Sequence, residues 1–143
     1  MKTSKDRILT THVGSLPRPQ DAVDLLFAQD RGETYDAAEF DKVMRSRVAQ
    51  VIVLQQNSGV DIPSDGEMAK ISYATYIRHR LTGFEGDSSR PTPQDLDDFP
   101  EYRDRLAQEG GTPKYLRPIC KGAIAVKDNA PLERDLRNVR DAL

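Results

Sequence analysis

The residues able to do chemistry gather in three short segments, each pairing polar side chains with a glycine: His12 to Arg18, Ser64 to Lys70, and Lys121 to Asp128. The first offers main-chain N–H groups at Val13 to Ser15, the Ser15 hydroxyl and the Arg18 guanidinium, and Gly14 lets a ligand approach the backbone closely. A tight strand-to-helix connection would use the same residues. In the second, Asp65-Gly66-Glu67 sets two carboxylates beside a glycine. Carboxylates hold an ammonium group, act as general bases, or cap a following helix. Asp65 reads as the cap and Glu67 as the binding group. His12 can donate a hydrogen bond to a ligand or shuttle a proton, or it can be a satisfied structural histidine. His79, inside Arg78-His79-Arg80, reads as solvated, and Cys120 as a small core residue. A nucleophilic role for Cys120 would need a nearby base, and the sequence presents none. Tyr73 and Tyr76 follow the acidic loop and either line a pocket or pack an amphipathic helix.

The elements that must position these groups alternate in type. Ile8 to Val13 has the β-branched content of a buried strand and stops at Gly14 to Pro19, where prolines end the ladder. A short helix is expected from Gln20 to Gln29. A longer one is expected over Tyr35 to Gln56, where Phe40, Val43, Met44, Arg47, Val48, Val51, Ile52 and Leu54 recur at helical spacing. Val60 to Pro63 reads as a second strand and Lys70 to Leu81 as a further helix. The Gly-, Ser- and Pro-bearing stretch Gly83 to Pro100 reads as an excursion, with a small helix over Tyr102 to Gln108. Tyr115 to Val126 supplies a third strand, running from Ile119 onward. A helix over Pro131 to Leu143 closes the chain, with Leu132, Leu136, Val139 and Leu143 as its stripe and Pro131 in its first turn. Strands alternating with helical crossovers imply an α/β fold with a parallel sheet, whose functional groups collect at the strands' carboxyl ends.

Composition narrows the function classes. The chain has 143 residues, 37% hydrophobic and 31% charged, enough for one soluble globular domain. A formal charge of −2 leaves no cationic excess to neutralise phosphates, which argues against a general nucleic-acid binder. The polar start, Met1 to Arg7, leads into only a short apolar run and is expected to be neither a signal peptide nor a membrane anchor. One cysteine excludes an intrachain disulfide and points to a reducing, cytoplasmic setting. One Cys and two His cannot make a four-ligand Cys/His zinc site without carboxylates or another chain.

Four stretches, in order, resemble the catalytic barrel of the cobalamin-independent methionine synthases and their shorter single-barrel relatives. They are Thr10-Thr11-His12-Val13-Gly14-Ser15-Leu16-Pro17-Arg18-Pro19; Gly59-Val60-Asp61-Ile62-Pro63-Ser64-Asp65-Gly66-Glu67; Tyr73 to Gly86, including Arg80-Leu81-Thr82-Gly83-Phe84; and Arg117-Pro118-Ile119-Cys120-Lys121-Gly122, running on to Leu132-Glu133-Arg134-Asp135. The resemblance implies a (β/α)₈ barrel that transfers a methyl group from a methylfolate to the sulfur of homocysteine, which zinc binds as a thiolate. It further implies that Val13 and Ser15 meet the substrate's amino-acid end and that Glu67 pairs with its ammonium group. His12, Arg18 and Asp65 would complete the pocket, with Tyr115 and Arg117 bordering the folate. Two departures stand out. His12 occupies a position where the long synthases carry a smaller polar residue, which favours the shorter branch. The family's zinc ligands (a histidine, two cysteines and a glutamate) come from later strands and have no counterpart here. A whole barrel needs about 250 residues, so the expectation is a truncated, N-terminal portion of about three strand–helix units, inactive in methyl transfer by itself. Two alternatives stay open: alkyl transfer to another small thiol, and a non-catalytic partial barrel that self-associates through open sheet edges.

Overall fold

A computed structural model describes residues 3–88, 94–109 and 117–143 of the chain. It is a mixed helix–strand fold dominated by helices: α1 (Gln20–Arg31), α2 (Ala37–Asn57), α3 (Tyr73–Arg80), α4 (Pro100–Glu109) and α5 (Ala130–Ala142). A single turn of 3₁₀-helix covers Gln94–Leu96. Two short strands, β1 (Phe84–Glu85) and β2 (Ile119–Cys120), complete the regular structure.

The helix α2 is the spine. Asp36 caps it by accepting from the N–H groups of Ala38 (2.8 Å) and Glu39 (3.2 Å), satisfying donors that the first turn leaves without partners. Phe40, Met44, Val48, Val51, Ile52 and Gln55 form its buried stripe. The upper half of that stripe packs with Ala22 and Leu26 of α1 and with Ala69. The lower half packs with Met68, and Leu16 and the α5 residues Val139 and Ala142 close over it. Both core clusters therefore contain a residue from the segment just after Glu67, so that segment is anchored on α2 from within.

α5 packs on α2 only partly by its expected stripe: Val139 closes over the core, but two polar residues are buried with it. Asp135 and Asn138 are buried, whereas Leu136 is 47% exposed and Leu143 71% exposed. The polar face can turn inward because the Tyr76 hydroxyl donates to Asp135 Oδ2 at 3.0 Å, supplying a partner to a buried carboxyl. Helix α3 starts at Tyr73 rather than at Lys70. Ser72 and Thr75 form a reciprocal capping box there, and the preceding residues are used in turns. Arg78 ties α3 to α1 by donating to Asp30 Oδ1 at 2.8 Å.

The strand expectations need correction. The segments expected as the first two strands touch in parallel, but only through one bridge, Thr11 with Ile62. The N–H groups of Asp61 and Ile62 both point at the Thr10 carbonyl, at 3.2 and 3.1 Å. With so short a contact, Ile8 and Val13 are not buried; each is 85% exposed. The third expected strand does not join them in parallel. Ile119–Cys120 pairs antiparallel with Phe84–Glu85, a segment that sequence pattern had placed in an excursion. The pairing continues through an antiparallel bridge between Leu81 and Val126. Gly83 makes this crossing possible: a Cβ there would sit 2.7 Å from the Gly122 carbonyl oxygen. Among the described residues the only regular sheet is this antiparallel pair, and about three parallel strand–helix units are not displayed.

Gln55 connects this framework to the second loop. Its side-chain amide accepts from the Ser64 N–H (2.9 Å) and donates to the Ser64 carbonyl (2.8 Å), pairing with one residue as a neighbouring strand would. Replacing Gln55 by Ala would leave both groups without that partner, and is expected to cost about 1–3 kcal/mol. Met44→Ala, at a fully buried position, is expected to cost about 2–5 kcal/mol. Urea unfolding monitored by circular dichroism checks both, as a lower midpoint at unchanged slope.

Candidate functional site

The two loops at the Thr11–Ile62 bridge meet. Leu16 N–H donates to the Gly66 carbonyl at 2.9 Å, and a Cβ on Gly66 would press on the Leu16 side chain, 3.0 Å from its Cδ1, so glycine favours this approach. Gly66 and Glu67 both adopt left-handed backbone, with φ of 59° and 56°. Glu67 is the one non-glycine residue with positive φ among the described residues, a conformation that surrounding contacts have to hold. Asp65 supplies one of those contacts, accepting from the Glu67 N–H at 3.0 Å. Its other oxygen pairs with Lys70 at 2.7 Å. Asp65 therefore caps a turn, not helix α3.

Arg18 is the bridge between the loops. Its Nε and Nη2 donate to the Glu67 carbonyl, at 3.3 and 2.9 Å. Nη2 also donates to the Lys70 carbonyl and to Ser15 Oγ at 3.3 Å. Burial lowers the Arg18 pKa from its ordinary value, while the charges of Glu67 and Asp65 oppose that shift. Starting from an arginine's very high value, the guanidinium stays charged.

The result is a clamped carboxylate. Ser15 Oγ donates to Glu67 Oε2 at 2.6 Å, and the Tyr73 hydroxyl donates to Glu67 Oε1 at 2.7 Å. The hydrogen bonds from Ser15 and then Tyr73 outweigh burial and hold the Glu67 carboxyl below its usual range. The Tyr73 phenol is raised in turn, first by its hydrogen bond to Glu67. A carboxylate in this state accepts hydrogen bonds from a cation and is a poor general base near neutral pH.

Of the other residues marked by sequence, His12 is partly buried, with Nε2 donating to the carbonyl of Gly14, two residues on, at 3.0 Å. Val13 projects outward. Arg117 sits at the start of β2, where its N–H donates to Asp87 at 2.9 Å and its carbonyl accepts from the Ser88 N–H at 2.7 Å. Tyr115 lies outside the described residues. The third segment, Lys121 to Asp128, runs along Arg80 to Gly83 through main-chain bonds, Lys121 N–H to the Gly83 carbonyl and Lys127 N–H to the Arg80 carbonyl, each 2.8 Å. Cys120 is exposed, not a core residue, because among the described residues β2 belongs to a two-stranded pair with both of its residues exposed. His79 is half-buried, not solvated. It lines a cavity of about 40 Å³ with Asp30, Lys70 and Tyr76, and burial, then the Arg78 charge, lowers its pKa. Burial and the Asp135 carboxylate push the Tyr76 phenol in the same region up to about 12.

Sequence reasoning did not single out Gln55, since a helix-interior glutamine carries no signal of its own. Nor did it link Tyr73 to Glu67, although the Ser72-x-x-Thr75 pattern that fixes the start of α3 is readable. Among the described residues, no group of three or more His, Cys, Asp or Glu side chains could hold a metal ion. Nor is any described helix long and apolar enough to cross a membrane.

Comparison with known proteins places these loops in context. Residues 8–90, which contain both of them and Tyr73, match the family described as the cobalamin-independent synthase catalytic domain. A 5-methyltetrahydropteroyltriglutamate–homocysteine methyltransferase of Acidithiobacillus ferrooxidans is 25% identical over 87% of this chain and 18% of that protein. Its namesake from Streptomyces avermitilis is 26% identical over 94% of this chain and 20% of that protein. A methionine synthase of Sulfolobus acidocaldarius is 29% identical over 53% of this chain and 22% of that protein. The chain thus spans about a fifth of the length of the curated relatives it matches. With more than half of its residues inside the family match, including the loops that clamp Glu67, the chain belongs to the cobalamin-independent synthase catalytic-domain family.

Proposed function

We propose that this chain carries the substrate-amine side of a methyl-transfer site, with Glu67 holding the ammonium group of homocysteine. The observation that carries this reading is the clamp on Glu67: two hydroxyl donors fix an ionised carboxylate between loops that the family match contains. A lowered pKa suits a group that holds a cation and does not suit one that must exchange protons at neutral pH. In this reading the main chain at Val13 to Ser15 faces the substrate carboxylate, supported by the outward exposure of Val13. His12, Arg18 and Asp65 shape the pocket from behind. Arg117 borders the methyl donor. Homocysteine as acceptor and 5-methyltetrahydropteroyltriglutamate as donor are taken from the names of the relatives.

The loops belong, on this reading, to an N-terminal portion of a (β/α)₈ barrel, in which the parallel contact of Thr11 with Ile62 is one point of the barrel wall. Zinc, which methyl transfer to a thiol would use in the complete enzyme, does not fit the described donors. Cys120 is exposed on β2, His12 is directed at Gly14 and Glu67 is held by hydroxyls. A cytoplasmic setting accords with a lone, exposed thiol. A second reading, a partial barrel that associates with another copy of itself, draws support from the exposed apolar residues Ile8, Val13 and Ile62 along the bridged segments.

Glu67→Gln keeps the shape and removes the charge. It is expected to weaken L-homocysteine binding about tenfold or more, since hydrogen bonds to charged groups contribute about 1.5–3 kcal/mol. Equal affinity of the two proteins by calorimetric titration would remove Glu67 from the ammonium site. Because the folded-state pKa of Glu67 is depressed, the carboxylate and the binding it supports should persist through the ordinary carboxylate range on acidification. Both should fail only as pH falls through the lowered value. Loss of binding well above pH 5 would contradict the assignment.

A further inference from the structure

We infer that Tyr73 is a positioning residue for the substrate ammonium: with Ser15 it grips the Glu67 carboxylate by both oxygens and presents it in one orientation. This rests on the proposed role of Glu67 and adds a residue and a selectivity to it. The Tyr73 hydroxyl reaches Oε1 at 2.7 Å and Ser15 Oγ reaches Oε2 at 2.6 Å. A donor on each oxygen fixes the rotation of the carboxylate plane, which a glutamate on a partly open surface would otherwise leave free. Each oxygen keeps lone-pair capacity for a further donor, so the clamp orients Glu67 without filling it.

Packing does not account for Tyr73. The residue is 68% exposed, whereas Thr75, two residues on, is 3% exposed. What places the phenol is the capping box: Ser72 Oγ accepts from the Thr75 N–H at 3.2 Å and Thr75 Oγ1 accepts from the Ser72 N–H at 3.3 Å. Tyr73 is thereby made the first residue of α3, directed back over the Asp65–Lys70 turn. On the other side, the left-handed backbone of Glu67 aims its side chain toward Ser15 and Tyr73. The charged groups around the carboxylate are Lys70 and Asp65 on its own turn and Arg18 from the facing loop. Arg18 hydrogen-bonds to Ser15 Oγ and the Glu67 carbonyl, and its charge meets that of the Glu67 carboxylate through space. The selectivity that follows is for ligands with a primary amine: a thiol acid without one would not meet the clamped face.

The test uses Tyr73→Phe in the full chain, with two probes, L-homocysteine and 4-mercaptobutanoate, which keeps the thiol and carboxylate but lacks the amine. The ¹³C carboxyl titration of Glu67 is followed by NMR in the free protein. The expected result is a Glu67 pKa moved up toward the ordinary value, L-homocysteine binding weakened about fivefold, its acid limb shifted upward with the pKa, and unchanged 4-mercaptobutanoate binding. A purely structural Tyr73 would weaken both probes together and leave the titration in place; that result overturns the inference. So does Tyr73→Phe binding L-homocysteine like the parent while Glu67→Gln binds it more weakly, an outcome that spares the role of Glu67. If Glu67→Gln has no effect on L-homocysteine binding, the ammonium site and the inference fail together.

Discussion

A half-buried guanidinium ties together two loops that are about fifty residues apart in sequence. Arg18 donates to the carbonyls of Glu67 and Lys70 and to the Ser15 hydroxyl. The Glu67 carbonyl also accepts from the Lys70 N–H at 3.1 Å, so Arg18 reinforces a turn bond there and supplies a side-chain donor to the Lys70 carbonyl. Arginine suits this role because its planar fork reaches several acceptors at once and its charge survives partial burial. The left-handed backbone of Glu67 is tolerated because its N–H, its carbonyl and its carboxylate are each engaged, by Asp65, Arg18, and the Ser15–Tyr73 pair. Removing the guanidinium would free the turn, and the orientation of the carboxylate would go with it.

The helices explain why such a turn can be held at all. Met68 and Ala69 immediately follow Glu67 and are buried against α2, while Gln55 of α2 grips Ser64 just before it. The turn is therefore pinned at both ends by one helix whose own position is set by two core clusters. Core packing at close-packed density tolerates little displacement, and this rigidity passes to the site. The polar junction of Tyr76 with Asp135 performs the same service between α3 and α5. Burial raises the Asp135 carboxyl, and the Tyr76 hydrogen bond partly offsets it.

Much of this was legible in the sequence, but unevenly. The stripe Phe40, Met44, Val48, Val51 and Ile52 repeats at helical spacing and marks α2 without ambiguity, since a helix makes its hydrogen bonds within its own segment. Strands have no such independence. Ile8 to Val13 has strand composition, yet what it forms depends on which segments lie beside it, and here that is one parallel bridge. Ile119 and Cys120 have strand composition too, but their partner is the unremarkable Phe84–Glu85. For α5 the expected stripe holds at Val139 but not at Leu136 or Leu143, and the pattern could not show that Asp135, with Tyr76 donating to one of its oxygens, would be buried. At the site, Ser15, Arg18, Asp65 and Glu67 could be marked by residue type and by their place beside glycines. Their mutual contacts could not, since these span about fifty residues of chain and depend on the left-handed turn at Gly66 and Glu67.

The charge logic of the site also limits what it can do. Arg18 commits its Nε and Nη2 to main-chain and Ser15 oxygens, so much of its donor capacity is structural. Lys70 is engaged with Asp65. The carboxylate of Glu67 is held ionised chiefly by two neutral hydroxyl donors, with Lys70 adding a smaller electrostatic contribution, and each oxygen keeps lone-pair capacity for a further donor. A carboxylate paired with a neighbouring arginine would also be ionised, but its charge would already be met. Hydroxyl donors achieve ionisation while keeping the attraction for a cation, and they do so in a partly solvated place where the desolvation cost of an incoming ammonium is small. That combination argues for a binding group over an acid or base, whatever chemistry the rest of a complete site supplies.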